Sequence, residues 1–222
     1  MNEFPFRIVG FDLDGTLVDT AGDLTAALNH ALSHAARPPL TEDQIRPMVG
    51  LGAKHMLEQG LAATGGLKGQ DFKSLYHELL IYYEDNIAVY SRPFPGVIAA
   101  LDKFGALGVR TAVVTNKVEV LARHLLEELG LAARMETIIG GDTMGPGKAK
   151  PSPAPIHAMI DRCGGGRTAF IGDSIYDIQA ARGAGATSVA VSFGFLHQPI
   201  AELGADHVID HFDELLPLLA RI

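Results

Sequence analysis

Phe11-Asp12-Leu13-Asp14-Gly15-Thr16-Leu17-Val18-Asp19-Thr20 is the stretch whose reading decides the fold. It follows the apolar segment Phe6-Arg7-Ile8-Val9-Gly10, which reads as a buried strand with the longer run as its C-terminal exit. A strand puts residues i and i+2 on one face, so Asp12 and Asp14 project together while Leu13 points away. Two carboxylates that close repel each other, and a bound cation or a proton kept on one of them relieves the repulsion. Both remedies suit chemistry on a phosphate. Mg²⁺ is a hard ion that takes one or two carboxylates and clamps phosphate oxygens. One Asp can attack phosphorus while the other, protonated, gives its proton to the leaving alcohol. Gly15 permits a tight turn at the strand end, and Thr16 offers a hydroxyl and an N–H to an anion. An Asp-Gly pair is also an ordinary turn, so the rest of the chain has to agree.

The chain of 222 residues is 47% hydrophobic and 20% charged, which suits one large domain or a domain with an insert and excludes a disordered protein. Its net charge of -8, with no cluster of Lys and Arg, argues against nucleic-acid and anionic-membrane partners. The single cysteine, Cys163, excludes an internal disulfide and reads as a small buried residue at a helix end. No window offers about 18 uninterrupted apolar residues, and no basic stretch leads into an apolar run at the start. The expectation is a cytoplasmic protein.

After Thr20 the rhythm becomes helical. Asp19 or Thr20 is a candidate N-cap, and Leu24, Leu28 and Leu32 with Ala27, Ala31 and Ala35 form an apolar stripe ending before Pro38. His30 and His34, four apart on this helix, read as a solvated face. Thr41 and Gln44 have capping-box spacing before a short helix. Met48 to Leu57 is a glycine-containing turn entering a third helix, and a fourth is expected from about Gln70 to Tyr90. Four helices without a strand read as a separate all-helical unit. Beyond Arg92-Pro93-Phe94-Pro95-Gly96, strands and helices alternate to the end, which predicts a parallel sheet covered on both faces. The expected organisation is an α/β, Rossmann-like parallel sheet core over 1–19 and 92–222, with an inserted helical domain over 20–91.

In such sheets ligands bind at the C-terminal ends of the strands, so other polar residues should stand just after the other strands. Thr115-Asn116-Lys117 follow Val109 to Val114, and a hydroxyl and an amide there can hold a phosphoryl oxygen. Gly147-Lys148-Ala149-Lys150-Pro151 supplies a cation in a stiffened loop, where a Lys beside an Asp nucleophile would offset transition-state charge. Ala149 stands where a nucleotide P-loop needs Ser or Thr. Ile171-Gly172-Asp173-Ser174-Ile175-Tyr176-Asp177 adds a second acidic pair. Asp173 can complete a magnesium shell, and Asp177, one turn on, can bind metal-held water or the Lys. Gly50-Leu51-Gly52 fails the dinucleotide pattern because His55 occupies its last position.

In this order the four signals resemble the motifs of the haloacid-dehalogenase-like hydrolase superfamily: DxDGT at Asp12 to Thr16, a hydroxyl at Thr115, Lys150 in KPxP, and GDSxxD at Asp173 to Asp177. The helical unit after the first motif is similar to the first type of cap in that superfamily. FDLDGTLVDT, VGLGAKHMLEQGL and VVTNK are most similar to its phosphoglycolate phosphatase subgroup. The resemblance implies a Mg²⁺-dependent phosphatase acting on a small phosphorylated metabolite, as a monomer or homodimer. It implies Asp12 as nucleophile and metal ligand, forming an aspartyl-phosphate, and Asp14 as general acid and base with its backbone carbonyl on the metal. Thr115 and Lys150 would hold the phosphoryl group, helped by N–H groups near Gly15 and Asn116; Asp173 would ligate the metal and Asp177 would support that shell. Gly50, Gly52, Lys54 and Lys117 are the candidates for substrate choice, Lys54 as a partner for a substrate carboxylate. A sugar phosphate is the alternative substrate. A mutase is disfavoured because Thr16 fits the phosphatase form, a dehalogenase because Asp14 is present, and a noncatalytic phosphometabolite-binding regulator because every catalytic position is filled.

Overall fold

The computed structural model describes residues 4–222. Six strands form one parallel sheet in the order β5-β4-β1-β6-β7-β8: β1 (Ile8–Phe11), β4 (Arg110–Val114), β5 (Thr137–Ile139), β6 (Thr168–Gly172), β7 (Thr187–Val191) and β8 (His207–Ile209). The first strand in sequence thus lies in the middle, between β4 and β6. Its four residues are all buried, as a strand covered on both faces must be. Alternation divides the core. Val9, Phe11, Val113, Ala169 and Ile171 face one apolar cluster, and Ile8, Ala112, Val114 and Phe170 face another. Helices α5 (Val97–Ala106), α6 (Glu119–Glu128), α7 (Ala154–Arg162), α8 (Ile175–Gly183) and α9 (Leu215–Leu219) follow in the connections. A 3₁₀ turn at Phe212–Glu214 leads directly into α9.

Between the first strand and the rest of the sheet lie α1 (Ala21–His34), α2 (Glu42–Ile45), α3 (Ala53–Ala63) and α4 (Phe72–Asp85). Helix α1 packs along α4 and also touches α2 and α3, and Leu24, Leu28 and Leu32 lie buried on the stripe the sequence predicts. The Thr41–Gln44 capping box forms as expected. Helix α4 is shorter than predicted: Asp71 caps its start through Lys73 N–H, and the Asn86 amide donates to the Tyr82 carbonyl where it ends. His30 and His34 do not simply face solvent, because His30 stacks on Tyr82 at 4.5 Å and stands 3.7 Å from Glu78. Among the described residues no helix is long and apolar enough to cross a membrane.

Two features at the base of the helical unit have no signature in the sequence pattern. Val18–Asp19 (β2) pairs antiparallel with Arg92–Pro93 (β3), so the chain leaves and re-enters through a two-stranded ribbon. Asp23, buried in the first turn of α1, accepts hydrogen bonds from Tyr90 N–H, Ser91 N–H and the Ser91 hydroxyl. That carboxylate ties the returning segment to the outgoing helix. Asp23→Ala strands these donors in a buried site and should lower unfolding free energy by about 3 kcal/mol, measured by urea denaturation; a loss under about 1 kcal/mol would show that water replaces the carboxylate.

Candidate active site

The register of the central strands builds the site. Phe11 is opposite Val113 on β4 and Ile171 on β6, so Asp12 stands level with Val114 and Gly172. Thr115 and Asp173 come one residue later on the flanking strands, and the three residues leave the sheet side by side. Asp12 N–H donates to the Ile171 carbonyl at 2.8 Å, which continues the ladder to the nucleophile candidate itself.

Lys150, from the loop before α7, inserts its ammonium among the carboxylates. Its Nζ lies 2.8 Å from Asp12 Oδ1 and 2.6 Å from Asp177 Oδ1. Asp177 uses its other oxygen on the N–H and hydroxyl of Ser174, as a capping box at the start of α8. The G-D-S run thus caps α8 through Ser174 while Asp173 and Asp177 stand beside Asp12. Asp173 accepts from Phe195 N–H at 2.6 Å and from the Thr16 hydroxyl at 3.3 Å. Gly15 lies at φ 78°, and a Cβ there would come within 2.3 Å of Asp173 Oδ2 and 2.9 Å of the Phe195 ring, so only glycine fits.

Burial first, then the Asp177 charge, pushes the Asp12 carboxyl up to about 7 against the opposing effect of Lys150. Burial and the charges of Asp177 and Asp12 raise Asp173 well above the ordinary carboxyl range. Lys150 keeps its charge: burial opposes it, but Asp12 and Asp177 outweigh burial and hold its pKa above the ordinary value. Oxygens of Asp12, Asp173 and Asp177 lie within 4.8 Å of one another. Three carboxylates around one ammonium leave two negative charges in excess, and all the donors are hard oxygens. This set fits a divalent cation of the Mg²⁺ type. Asp177 gives one oxygen to the Lys150 ammonium and the other to both Ser174 donors, whereas each Asp173 oxygen accepts a single neutral donor and Asp12 Oδ2 accepts none among the described residues, so Asp12 and Asp173 are the side chains with most lone-pair capacity left to hold it.

The other predicted residues fall into two groups. Asp14 does not join the three carboxylates. Its Oδ1 accepts from the Thr20 hydroxyl at 2.7 Å and from Lys117 Nζ at 2.7 Å. Lys117 also donates to the Tyr83 hydroxyl at 2.6 Å, from helix α4. Thr115 is buried and its hydroxyl accepts Lys117 N–H. The Asn116 amide donates to the carbonyls of Gly50 and Lys150, bridging the helical unit to the lysine loop. Gly52, at φ 86°, passes close to the Asn116 carbonyl, where a Cβ would stand 3.2 Å away.

Three expectations need correction. Thr16 does not offer its hydroxyl and N–H to an anion, because the hydroxyl holds Asp173 and the N–H bonds the Leu13 carbonyl. The Gly15 N–H is likewise taken, by the Val18 carbonyl. Lys54 is exposed and outside the pocket: Ala53 and Met56 of α3 line it, and one residue's rotation from Ala53 carries Lys54 away. Tyr83, Thr20 and Phe195 were missed. Tyr83 falls in the helical spacing of Leu75, Tyr76, Leu79 and Leu80, which marks a packing position, and Phe195 acts through its backbone, which leaves no trace in sequence.

The pocket between the two units takes its walls from Leu24, Val49, Met56, Leu79, Val118 and Leu121 and its polar end from Asp12, Asp14, Thr115, Asn116, Lys117 and Tyr83. The Arg46 guanidinium lies 5.1 Å over the Phe195 ring and bonds Asp19. A parallel sheet bearing a buried carboxylate cluster at its C-terminal edge, under an inserted helical unit, defines a hydrolase class. Residues 9–191 match the haloacid dehalogenase-like hydrolase family, and the chain belongs to that family. It is 42% identical to a phosphoglycolate phosphatase of Agrobacterium fabrum, over 94% of this chain and 90% of the relative. It is 33% identical to an N-acetylmuramic acid 6-phosphate phosphatase of Pseudomonas aeruginosa, over 100% of this chain and 98% of the relative. A predicted phosphoglycolate phosphatase of Haemophilus somnus superposes with a TM-score of 0.90 at 31% identity, covering 96% of this chain and 97% of the other.

The raised carboxyls give a test without substrate. Asp12 ionises at its ordinary 3.8 in the unfolded chain but keeps its proton to about 7 in the fold. Between those values the folded state binds more protons, so stability falls as pH rises through the window. The melting temperature of chelator-treated protein should therefore drop from about pH 5 to about pH 8, and Mg²⁺ should raise it more at the higher pH. An equal Mg²⁺ effect at both would show that these carboxylates do not hold the ion.

Proposed function

We propose that this protein is a Mg²⁺-dependent phosphatase that hydrolyses a small phosphomonoester through an aspartyl-phosphate, with 2-phosphoglycolate as its substrate. The observation that carries the reading is the buried group of Asp12, Asp173, Asp177 and Lys150 in a chain 42% identical over 94% of its length to a phosphoglycolate phosphatase.

On this reading an Asp12 oxygen attacks phosphorus and the ester bond breaks. Asp14 gives a proton to the leaving alkoxide, then takes one from the water that hydrolyses the acyl phosphate. Lys150 holds Asp12 in place and neutralises charge on the phosphoryl oxygens, and the Thr115 hydroxyl bonds one of them. Asp12 and Asp173, with the Asp14 carbonyl, would hold Mg²⁺, which would supply further charge neutralisation. Asp177 fixes the lysine. Residues 20–91 act as a cap that excludes bulk water and chooses the ester's other end, since the sheet contacts only the phosphoryl group.

The similarity to an N-acetylmuramic acid 6-phosphate phosphatase supports a sugar phosphate as the second reading. Phosphate release from 2-phosphoglycolate, N-acetylmuramic acid 6-phosphate and simple sugar phosphates, with and without Mg²⁺, separates the two. The expected result is Mg²⁺-dependent turnover with 2-phosphoglycolate leading by tens-fold in kcat/KM, and a loss of more than about a thousandfold in Asp12→Asn. A lead by a sugar phosphate would replace the substrate and keep the mechanism. No turnover of any ester would sink the reading.

A further inference from the structure

We propose that Lys117 and Tyr83 together form the subsite for the substrate's carboxylate; the proposal rests on the phosphoglycolate reading and names the residues that recognise the non-phosphoryl end. The site has two cations of different standing. Lys150 is spent among Asp12 and Asp177 and does not line the pocket, whereas Lys117 is the one cationic side chain among the pocket's lining residues.

Lys117 is unusual for a lysine in being 8% exposed, and Tyr83 beside it is 2% exposed. An ammonium has three N–H donors. Asp14 Oδ1 at 2.7 Å and the Tyr83 oxygen at 2.6 Å take two of them, which leaves the third without a partner among the described residues. The Tyr83 hydroxyl accepts from Lys117, and its own proton has no acceptor among the described residues. The pair therefore presents one N–H and one O–H side by side, both on the pocket wall. Two adjacent donors, one of them charged, match the two oxygens of a carboxylate.

Both groups keep the protons this needs. Burial disfavours the Lys117 charge, but Asp14 and Tyr83 outweigh burial and hold the ammonium above its ordinary pKa. Burial pushes the Tyr83 hydroxyl up to about 12. The position also fits the substrate. In 2-phosphoglycolate the carboxyl carbon is two bonds from the ester oxygen, and on the proposed mechanism that oxygen faces Asp14. Lys117 touches Asp14 directly, so a donor for the carboxylate stands next to the donor for the leaving oxygen. Leu24, Met56, Leu79 and Leu121 leave little else polar for a longer or hydroxylated leaving group to bond. Tyr83 belongs to the helical unit and Lys117 to the sheet, so the subsite is complete only when the two are together.

The test compares 2-phosphoglycolate with 2-hydroxyethyl phosphate, in which an uncharged CH₂OH replaces the carboxylate. Because Lys117 also holds Asp14, its loss lowers turnover of both esters; the ratio of their kcat/KM values cancels that shared effect. Wild type should favour 2-phosphoglycolate. Lys117→Met should lower the ratio by about tenfold or more, chiefly through KM for 2-phosphoglycolate. Tyr83→Phe, which keeps the ring, should lower it by several-fold, and inhibition by glycolate should weaken in parallel. A ratio unchanged in both variants overturns the subsite and leaves the substrate reading standing. A wild type without preference for 2-phosphoglycolate overturns the substrate reading and the subsite with it.

Discussion

Three carboxylates and one ammonium are held out of water at the C-terminal edge of the sheet, and much of the structure exists to make that tolerable. Asp12, Asp173, Asp177 and Lys150 are all 6% exposed or less. Burying charge is costly unless each charge finds partners, and the partners here come from distant parts of the chain. Ser174 caps its helix through Asp177, Phe195 donates its N–H to Asp173, Thr16 adds a hydroxyl, and Gly15 stays bare so that Asp173 can come close. The bonds still leave an excess of negative charge, which burial turns into raised carboxyl pKa values. A site in that condition favours a dication and, on the proposed function, a phosphoryl group whose charge Lys150 can share.

The central position of β1 is the geometric half of the same constraint. A strand with neighbours on both sides can deliver one side chain between two others, and the register sets Asp12 between Thr115 and Asp173. An edge strand would have exposed Asp12 on one side and halved its neighbours. The four residues of β1 are wholly buried and carry no polar side chain before Asp12, so the charge appears only where the strand ends.

A second ion pair sits where the two units meet. Lys117, from the sheet, bonds Asp14 and reaches Tyr83 of α4, with the ring also 4.5 Å beneath its ammonium. The unit carrying Tyr83 is anchored at its base by the β2–β3 ribbon and by Asp23. On the proposed function this divides the labour: the sheet handles the phosphoryl group with charge, and the helical unit shapes an apolar pocket around the rest of the substrate.

The fold class, the order of strands and helices and the residues at the strand ends were legible in the chain itself, because they depend on local periodicity and on residues near in sequence. A buried parallel strand is a continuous apolar run, and Asp12, Thr115, Lys150 and Asp173 each stand just beyond such a run or in a loop stiffened by proline. What tertiary structure alone decided is which of these groups meet. Asp14 and Asp12 are two residues apart, just past the end of β1, yet they take different lysines, 117 and 150, because those lysines arrive from loops after different strands. Lys54 is turned outward by the phase of α3, while Tyr83, at a packing position of α4, lines the pocket and bonds Lys117 through its hydroxyl. The β2–β3 ribbon and the Asp23 anchor join segments far apart in the chain, Val18 with Pro93 and Asp23 with Tyr90 and Ser91. Contacts between such distant segments follow from how the helices pack, and no local pattern encodes that packing.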